Sequence, residues 1–204
     1  MTKTPNRGIF VTLKHITMKK KKNFIILSAL FLLTFTSCEQ YVLPQETIAY
    51  SLSVFNATMS EYEATLEKLH DLETLQEISA PEVKDSLTAQ MDSLFIQMSV
   101  LIGTHESTRV ALETLSGKKI NEITPSPVIV SVYRYTEAVR IFRNADATMQ
   151  KEMKGLRLLQ GVPHIGKNAA EIKKSERKLA SFEAYYMNFA YIMQSLRPEK
   201  VKKL

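Results

Sequence analysis

The chain has 204 residues, no tryptophan, one cysteine and a formal net charge of +6. This excess does not indicate nucleic-acid binding, because it lies in the first 37 residues, which carry seven Lys and Arg and no Asp or Glu. From Cys38 onward, 20 basic and 21 acidic side chains nearly balance, and one cysteine excludes a disulfide within the chain. No zinc-finger spacing is present, and no nucleic-acid partner is predicted.

The most informative segment is residues 18–41, MKKKKNFIILSALFLLTFTSCEQY. Four lysines precede an apolar run of 12 residues, from Phe24 to Phe35, whereas a helix that crosses a bilayer needs roughly 20 apolar residues. A basic stretch, a short apolar run and then small polar residues follow the order of a secretory leader. The pattern therefore predicts a signal peptide at residues 18–37.

The end of this leader, Phe-Thr-Ser-Cys at residues 35–38, resembles the lipobox of bacterial lipoproteins, in which small residues precede a cysteine. The resemblance covers residues 18–38. It implies that Cys38 receives a diacylglyceryl group, that the leader is removed and that Cys38 becomes the acylated N-terminus. Since two or more acyl chains hold a protein stably on a bilayer, no transmembrane helix is then required. Two alternatives stay open: an ordinary small residue near a signal-peptidase site, and an uncleaved N-terminal anchor.

Residues 1–17 fit no part of a leader, whereas translation from Met18 gives a leader of ordinary length. We expect either that Met1 is a misassigned start or that the basic region is unusually long. The predicted organisation is a leader at 1–37, a lipidated tether at 38–44, a helical bundle at 45–197 and a basic tail at 198–204.

Four segments of the mature chain have apolar residues at alternating spacings of four and three, which is typical of helices that pack knobs-into-holes. In the first segment this apolar seam is Ile48, Leu52, Phe55, Met59, Tyr62, Leu66 and Leu69. The pattern predicts an all-α fold, a long antiparallel up-down-up-down four-helix bundle. The predicted helices span residues 45–79, 81–116, 127–160 and 167–197. We expect the longest loop, 116–127, at the end of the bundle far from the tether.

Charge is segregated along the mature chain. Residues 38–116 carry 3 basic and 13 acidic side chains, whereas residues 117–204 carry 17 basic and 8 acidic ones. This pattern predicts two hairpins whose opposite charges attract when they dock. A polarised surface, with one side facing lipid headgroups and the other a partner, stays open as an alternative.

Polar residues interrupt the predicted apolar seams at His105, Thr108, Asp146 and Ser175. An ionised aspartate in a dry core is costly unless it is paired. In a regular hairpin, His105 and Asp146 would be offset by about 9 residues, or roughly 13 Å, which is too far for contact. We interpret these residues as structural, solvated or paired with a nearby cation; the alternative is a polar core pocket for a small ligand.

A metal or cofactor is not predicted. Glu67 and His70 have the Glu-x-x-His spacing of di-iron bundles, but those proteins use the motif twice, and here it occurs once, on the flank of the seam. No nucleophile elbow, phosphate-binding glycine loop or Cys-x-x-Cys is present. The sequence therefore gives no support for an enzyme.

Two tripeptides, Asp85-Ser86-Leu87 and Asp92-Ser93-Leu94, resemble the acceptor site for O-glycans in exported proteins of some Gram-negative bacteria. Their seven-residue spacing places Ser86 and Ser93 on one face of the second helix. The resemblance implies that these hydroxyls are candidate glycan acceptors.

The leading hypothesis is a non-catalytic lipoprotein of a Gram-negative cell envelope. It would be lipid-anchored to the inner or outer membrane and would present its bundle as a scaffold or adaptor to another envelope protein. The alternative is a carrier or sensor with a small ligand near His105 or Asp146. Self-association also stays open.

Overall fold

The computed structural model describes residues 40–161 and 167–199 of the protein. Within them the chain forms four long helices that pack on one another, which confirms the predicted all-α bundle. The helices are α1 (Gln45–Ile78), α2 (Pro81–Ser116), α3 (Val132–Gly161) and α4 (Lys167–Gln194). The short strands are β1 (Gln40–Leu43), β2 (Val128–Val130) and β3 (Arg197–Glu199). The leader at 1–37 and Cys38 lie outside the described residues.

Helices α1 and α2 form an antiparallel hairpin. Near the turn, the Gln76 amide donates a hydrogen bond to the Thr88 hydroxyl (2.7 Å), and farther from it Thr58 lies 3.1 Å from His105. Pro81 stands at the first position of α2, where its missing N–H would have no helical partner in any case. The break between the two helices is therefore as short as the sequence predicts.

Helix α2 is central, because it packs against α1 and also against α4, while α3 packs mainly against α4. Asp92 contacts Lys173 and Thr108 contacts Asn188, so α2 and α4 run in the same direction. The α3–α4 pairs run in opposite directions: Glu152 with Lys178, and Phe142 with Tyr186. These directions are those of an up-down-up-down connection.

A three-stranded antiparallel sheet closes one end of the bundle, with the strands in the order β2-β1-β3. Three predicted boundaries were therefore wrong. Residues 40–43, predicted as tether, form the central strand; residues 128–130, predicted as helix, form β2; and residues 197–199 form β3 where the last helix and the tail were predicted to meet. The β-branched run Val128-Ile129-Val130 favours a strand locally, and pairing with β1 satisfies its backbone.

The loop between α2 and β2 lies at the sheet end, because β2 pairs with β1. The expectation that it lies far from the tether was wrong, since two antiparallel passes return the chain to the end where it started. Gly117 ends α2 with φ 68°, and its N–H donates to the carbonyl oxygen of Glu113 (2.7 Å). Glycine adopts this left-handed conformation without steric cost.

Ile48 and Leu69 of the predicted α1 seam are buried as expected, but between them the buried face is rotated by about one residue. Met59 and Leu66 are 45% and 48% exposed, whereas Thr58 and Thr65 are buried. Both hydroxyls donate to backbone carbonyl oxygens of their own helix, at 2.8 Å and 2.7 Å, so that burying them leaves no unmade hydrogen bond. Since α1 packs chiefly on α2, it buries a narrower stripe than a helix with two neighbours.

The best-buried part of the core lies toward the sheet end. Tyr41 of β1 stacks on Tyr135 of α3 with ring centroids 4.3 Å apart, and burial raises the pKa of Tyr135 to about 12. The fully buried large apolar side chains are Leu43, Ile48, Leu112, Leu115, Val130, Phe189 and Ile192. Six of these seven lie within a few residues of a strand or of the loop after α2, so most of the fully buried apolar side chains are at the sheet end.

Candidate functional site

The four polar residues predicted in the seams do not meet in one pocket. His105 contacts α1, Thr108 contacts α4, and Asp146 lies on α3 near Tyr186 of α4. His105 and Thr108 are one helical turn apart, but they face different neighbours. A single core pocket made from these residues is therefore not formed.

His105 lies against the middle of α1. Its ring stacks on Phe55 with centroids 4.0 Å apart, and Nδ1 lies 3.1 Å from both Thr58 Oγ1 and the carbonyl oxygen of Phe55. The Thr58 hydroxyl donates its own hydrogen to that same carbonyl oxygen (2.8 Å). Since the carbonyl oxygen can only accept, Nδ1 is the donor in this arrangement, and Nε2 would be the acceptor in the uncharged form of the ring.

A groove of about 380 Å³ runs between α1 and α2 beside this histidine. Exposed Met59 and Ile102 contribute apolar wall. The residues that line it are Thr58, Met59, Tyr62, Leu101, Ile102, His105 and Glu106. An apolar groove with one imidazole and one carboxylate at its border can bind apolar side chains or a small apolar molecule, and both polar groups can accept hydrogen bonds.

The acidic border of this groove is fixed by an ion-pair cluster on α2. Arg109 bonds Glu106 (2.5 Å) and Glu113 (2.8 Å), and Glu113 also accepts a hydrogen bond from the backbone N–H of Ile120 (3.0 Å). The hydrogen bond that Arg109 donates to Glu106 is the largest cause that raises the pKa of Arg109. The cluster holds Glu106 in place at the edge of the groove.

Thr108 belongs to a polar contact between α2 and α4 that the sequence analysis missed in part. The Asn188 amide nitrogen donates to Ser107 Oγ (2.7 Å) and Thr108 Oγ1 (2.8 Å), and both hydroxyl residues are fully buried. Ser107 and Thr108 are adjacent hydroxyl residues that the sequence itself shows. They indicate a contact with Asn188 only when α2 and α4 are already known to be neighbours. The contact is structural.

Asp146 and Ser175 lie in the other half of the bundle. Burial raises the pKa of Tyr186 to about 12, and the charge of Asp146 adds to the effect. Among the described residues Asp146 Oδ1 is buried and accepts no hydrogen bond. Ser175 is half-buried on α4, 11 residues before Tyr186, or roughly 16 Å along the helix. These residues therefore add nothing to the His105 groove.

Ser86 and Ser93, the candidate glycan acceptors, are exposed on α2. The neighbouring Asp85 is exposed, whereas Asp92 pairs with Lys173 (2.5 Å) and Arg177 (2.9 Å). The two tripeptides thus differ: the carboxylate before Ser86 is open to solvent, and the one before Ser93 is held by two cations. Acceptor use of either hydroxyl stays a prediction.

Two further features of the described residues bear on metal binding and on membrane attachment. His70 lies on the surface of α1 with Nδ1 4.0 Å from a carboxylate oxygen of Glu73, and no group of three potential metal ligands occurs in residues 40–161 or 167–199. None of the helices in those ranges is both long and apolar enough to cross a bilayer. Comparison of the chain with protein-family models, curated proteins and solved structures found no match.

Proposed function

We propose that this protein is a lipid-anchored, non-catalytic component of a Gram-negative cell envelope that presents its helical bundle to another envelope protein. The observation that carries the proposal is the apolar run at residues 24–35, too short to span a bilayer, which ends close to the lone Cys38. Acyl chains on that sulfur would supply the membrane attachment. The attachment would be to the inner or the outer membrane.

The surface that best suits a protein partner is the groove between α1 and α2. Exposed Met59, Leu66 and Ile102 continue the apolar side chains of the hairpin onto its surface. Helix α1 carries seven acidic side chains and one lysine. An apolar groove on an acidic helix favours a partner helix with an apolar face and basic flanks.

The anchor is tested by radiolabelled-palmitate incorporation in cells that express the wild-type chain or Cys38→Ala. We expect label on the wild type and none on the variant. Ser37→Ala, which keeps the cysteine and a small residue before it, is the matched control and should retain the label. An unlabelled wild-type protein would remove the basis of the proposal.

The partner surface is tested by photo-crosslinking in intact cells from position 59, with position 158 of α3, an exposed leucine, as the control. A discrete protein adduct from position 59 but not from position 158 is expected. Adducts with bulk lipid alone would contradict the adaptor role. An adduct between two copies of this chain would identify the occupant of the groove as a second copy.

A second candidate function is carriage of a small molecule, which the groove at His105 favours. Its volume of about 380 Å³ falls within the range of ligand sites, and Nε2 of His105 can accept one hydrogen bond. The ligand would be largely apolar, with a hydrogen-bond donor directed at His105. Native mass spectrometry of the purified protein should then show a bound mass that His105→Phe loses, whereas a clean unliganded mass would exclude a tightly bound cargo.

A further inference from the structure

Along the chain, the sheet begins two residues after the cysteine that is proposed to carry the lipid. Strand β1 begins at Gln40, and only Glu39 separates it from Cys38. Two residues of extended chain span about 7 Å at most. The inference that follows rests on the proposed anchor at Cys38, because acyl chains there would bring the sheet to within that distance of the lipid headgroups.

One side of the sheet is covered by the bundle and the other is not. Leu43 and Val130 are fully buried on the inner side. The register pairs Val42 with Ile129 and with Arg197, so these three side chains share the outer side. Ile129 is 63% exposed there. A single exposed apolar residue is ordinary on a surface that meets water, whereas a contiguous exposed apolar patch marks a protein or membrane contact.

The apolar surface continues from β2 into the first turn of α3. Val132 is 60% exposed and Tyr133 is 79% exposed. Together with Ile129 they form the sheet-end patch (Ile129, Val132 and Tyr133). Tyrosine is enriched at the level of lipid headgroups, because its ring is apolar and its hydroxyl is polar.

Basic side chains border the sheet-end patch. Lys118 and Lys119 are exposed in the loop after α2, and the guanidinium of Arg134 lies directly over Gly117, which brings that loop against the start of α3. Glu122 is the exposed carboxylate of the same loop, so cations are in excess at this border. Lysine and arginine near a membrane surface are attracted to anionic headgroups.

We propose that the sheet-end patch is a second membrane contact, in which Ile129, Val132 and Tyr133 enter the headgroup layer beside the acyl chains of Cys38. The contact would hold the bundle upright, with the turn between α1 and α2 directed away from the membrane. Since α1 has 34 residues, that turn would stand about 50 Å from the sheet. The groove at His105 would then be free for a partner.

The test uses the full lipidated chain with one added cysteine, which is the only free thiol once Cys38 is acylated. Ile129→Cys probes the patch. Ile78→Cys is the matched control, because it replaces another exposed isoleucine (79% exposed) at the opposite end of α1. Each variant is labelled with a fluorophore and reconstituted into phosphatidylethanolamine and phosphatidylglycerol vesicles that contain a headgroup-linked nitroxide quencher. We expect the label at position 129 to lose most of its emission and the label at position 78 to keep it.

Three results would overturn the proposal or its basis, and they are distinguishable. Equal emission from both labels on vesicle-bound protein would exclude the second contact and leave the anchor intact. Quenching at both positions would show a bundle that lies flat, which also excludes an upright contact. Failure of the protein to float with the vesicles would instead contradict the anchor itself. As a second measurement, a photo-crosslinker at position 133 should give lipid adducts, and a protein adduct there would identify the patch as a protein interface.

Discussion

Helix α2 has two principal neighbours, and it packs against them by different means. Toward α4, a methyl group built on Gly103 would overlap the backbone oxygen of Ser181, so the two backbones lie very close. The Asn188 amide and the Asp92 ion pairs add polar contacts on that side. On the side that faces α1, α2 makes its contacts through small hydroxyl residues and borders the open groove. No ion pair between α1 and α2 occurs among the described residues.

This difference follows from charge and connectivity. The charged side chains of residues 38–116 are mostly acidic, so α1 and α2 have few cations with which to form ion pairs with each other. The basic second half of the chain supplies Lys173 and Arg177, which pair with Asp92. A two-residue break joins α1 to α2, so closing that hairpin costs little entropy. The α2–α4 contacts join residues about 80 positions apart, and bringing these residues together costs more chain entropy. The close backbone approach, the amide hydrogen bonds and the ion pairs on this side offset that cost. The α1 side can therefore leave apolar surface open.

The largest expected difference is between an aromatic residue of the α3–α4 half of the core and one of α1. Phe189 of α4 is fully buried, and its ring lies against Phe142 of α3 and Tyr185 of its own helix. Phe189→Ala should lower the free energy of unfolding by about 3–5 kcal/mol, measured by urea denaturation. Phe55→Ala on the α1 side, where the ring is half-exposed over His105, should cost less than half of that. Equal losses would show that the ring of Phe55 contributes as much to stability as the buried ring of Phe189.

The glycine contact gives the next largest effect. Gly103→Ala should destabilise the protein by about 2–3 kcal/mol, because the added methyl group meets backbone rather than a movable side chain. Gly155→Ala in α3 is the control, since a methyl group added there would have no neighbouring atom within 4 Å. That substitution should raise stability by about 0.5–1 kcal/mol through helix propensity. A Gly103→Ala variant as stable as the wild type would mean that α2 and α4 do not approach closely.

Buried hydrogen bonds should give a smaller difference in stability between the α4 side and the α1 side of α2. Asn188→Ala leaves the buried Ser107 and Thr108 hydroxyls without their shared donor and should cost about 1–2 kcal/mol. Thr58→Val on the α1 side should cost less than about 1 kcal/mol, because His105 Nδ1 keeps the carbonyl oxygen of Phe55 as its acceptor. Thermal unfolding of both variants measures the difference, and a larger loss for Thr58→Val would reverse the comparison.

The sequence predicts the four helices well because their apolar repeat is long and regular, and Pro81 and Gly117 mark ends that the structure also has. It misplaces the face of α1, since the repeat cannot tell that Thr58 rather than Met59 faces α2. A threonine that bonds its own backbone can be buried as cheaply as an apolar residue, and this depends on how many neighbours the helix has.

The sheet and the site were harder to predict for a related reason. A three-residue strand such as Val128–Val130 has too few residues to show a period, and it forms only because β1, about 85 residues earlier, is available for pairing. The sequence identifies His105 as unusual but not its partners. Phe55 and Thr58 become neighbours of His105 only through the register of the α1–α2 hairpin, which the apolar repeat alone leaves open by one residue.

The smallest expected effect on stability is that of the Asp92 ion pairs. It tests whether opposite charge is the reason that α2 packs differently on α4 than on α1. Hydrogen bonds from Lys173, and then from Arg177, lower the pKa of Asp92 in the folded protein. A lowered folded pKa stabilises the protein above the ordinary value of 3.8, and this contribution is lost as the pH falls below it. Asp92→Asn should therefore cost no more than about 1 kcal/mol at neutral pH, less in high salt, and nothing in strong acid.

Glu73→Gln, which removes an exposed contact within α1, is the control and should leave the free energy of unfolding unchanged at every pH. If the Asp92→Asn cost persisted in acid and in salt, shape rather than opposite charge would account for the preference of α2 for α4.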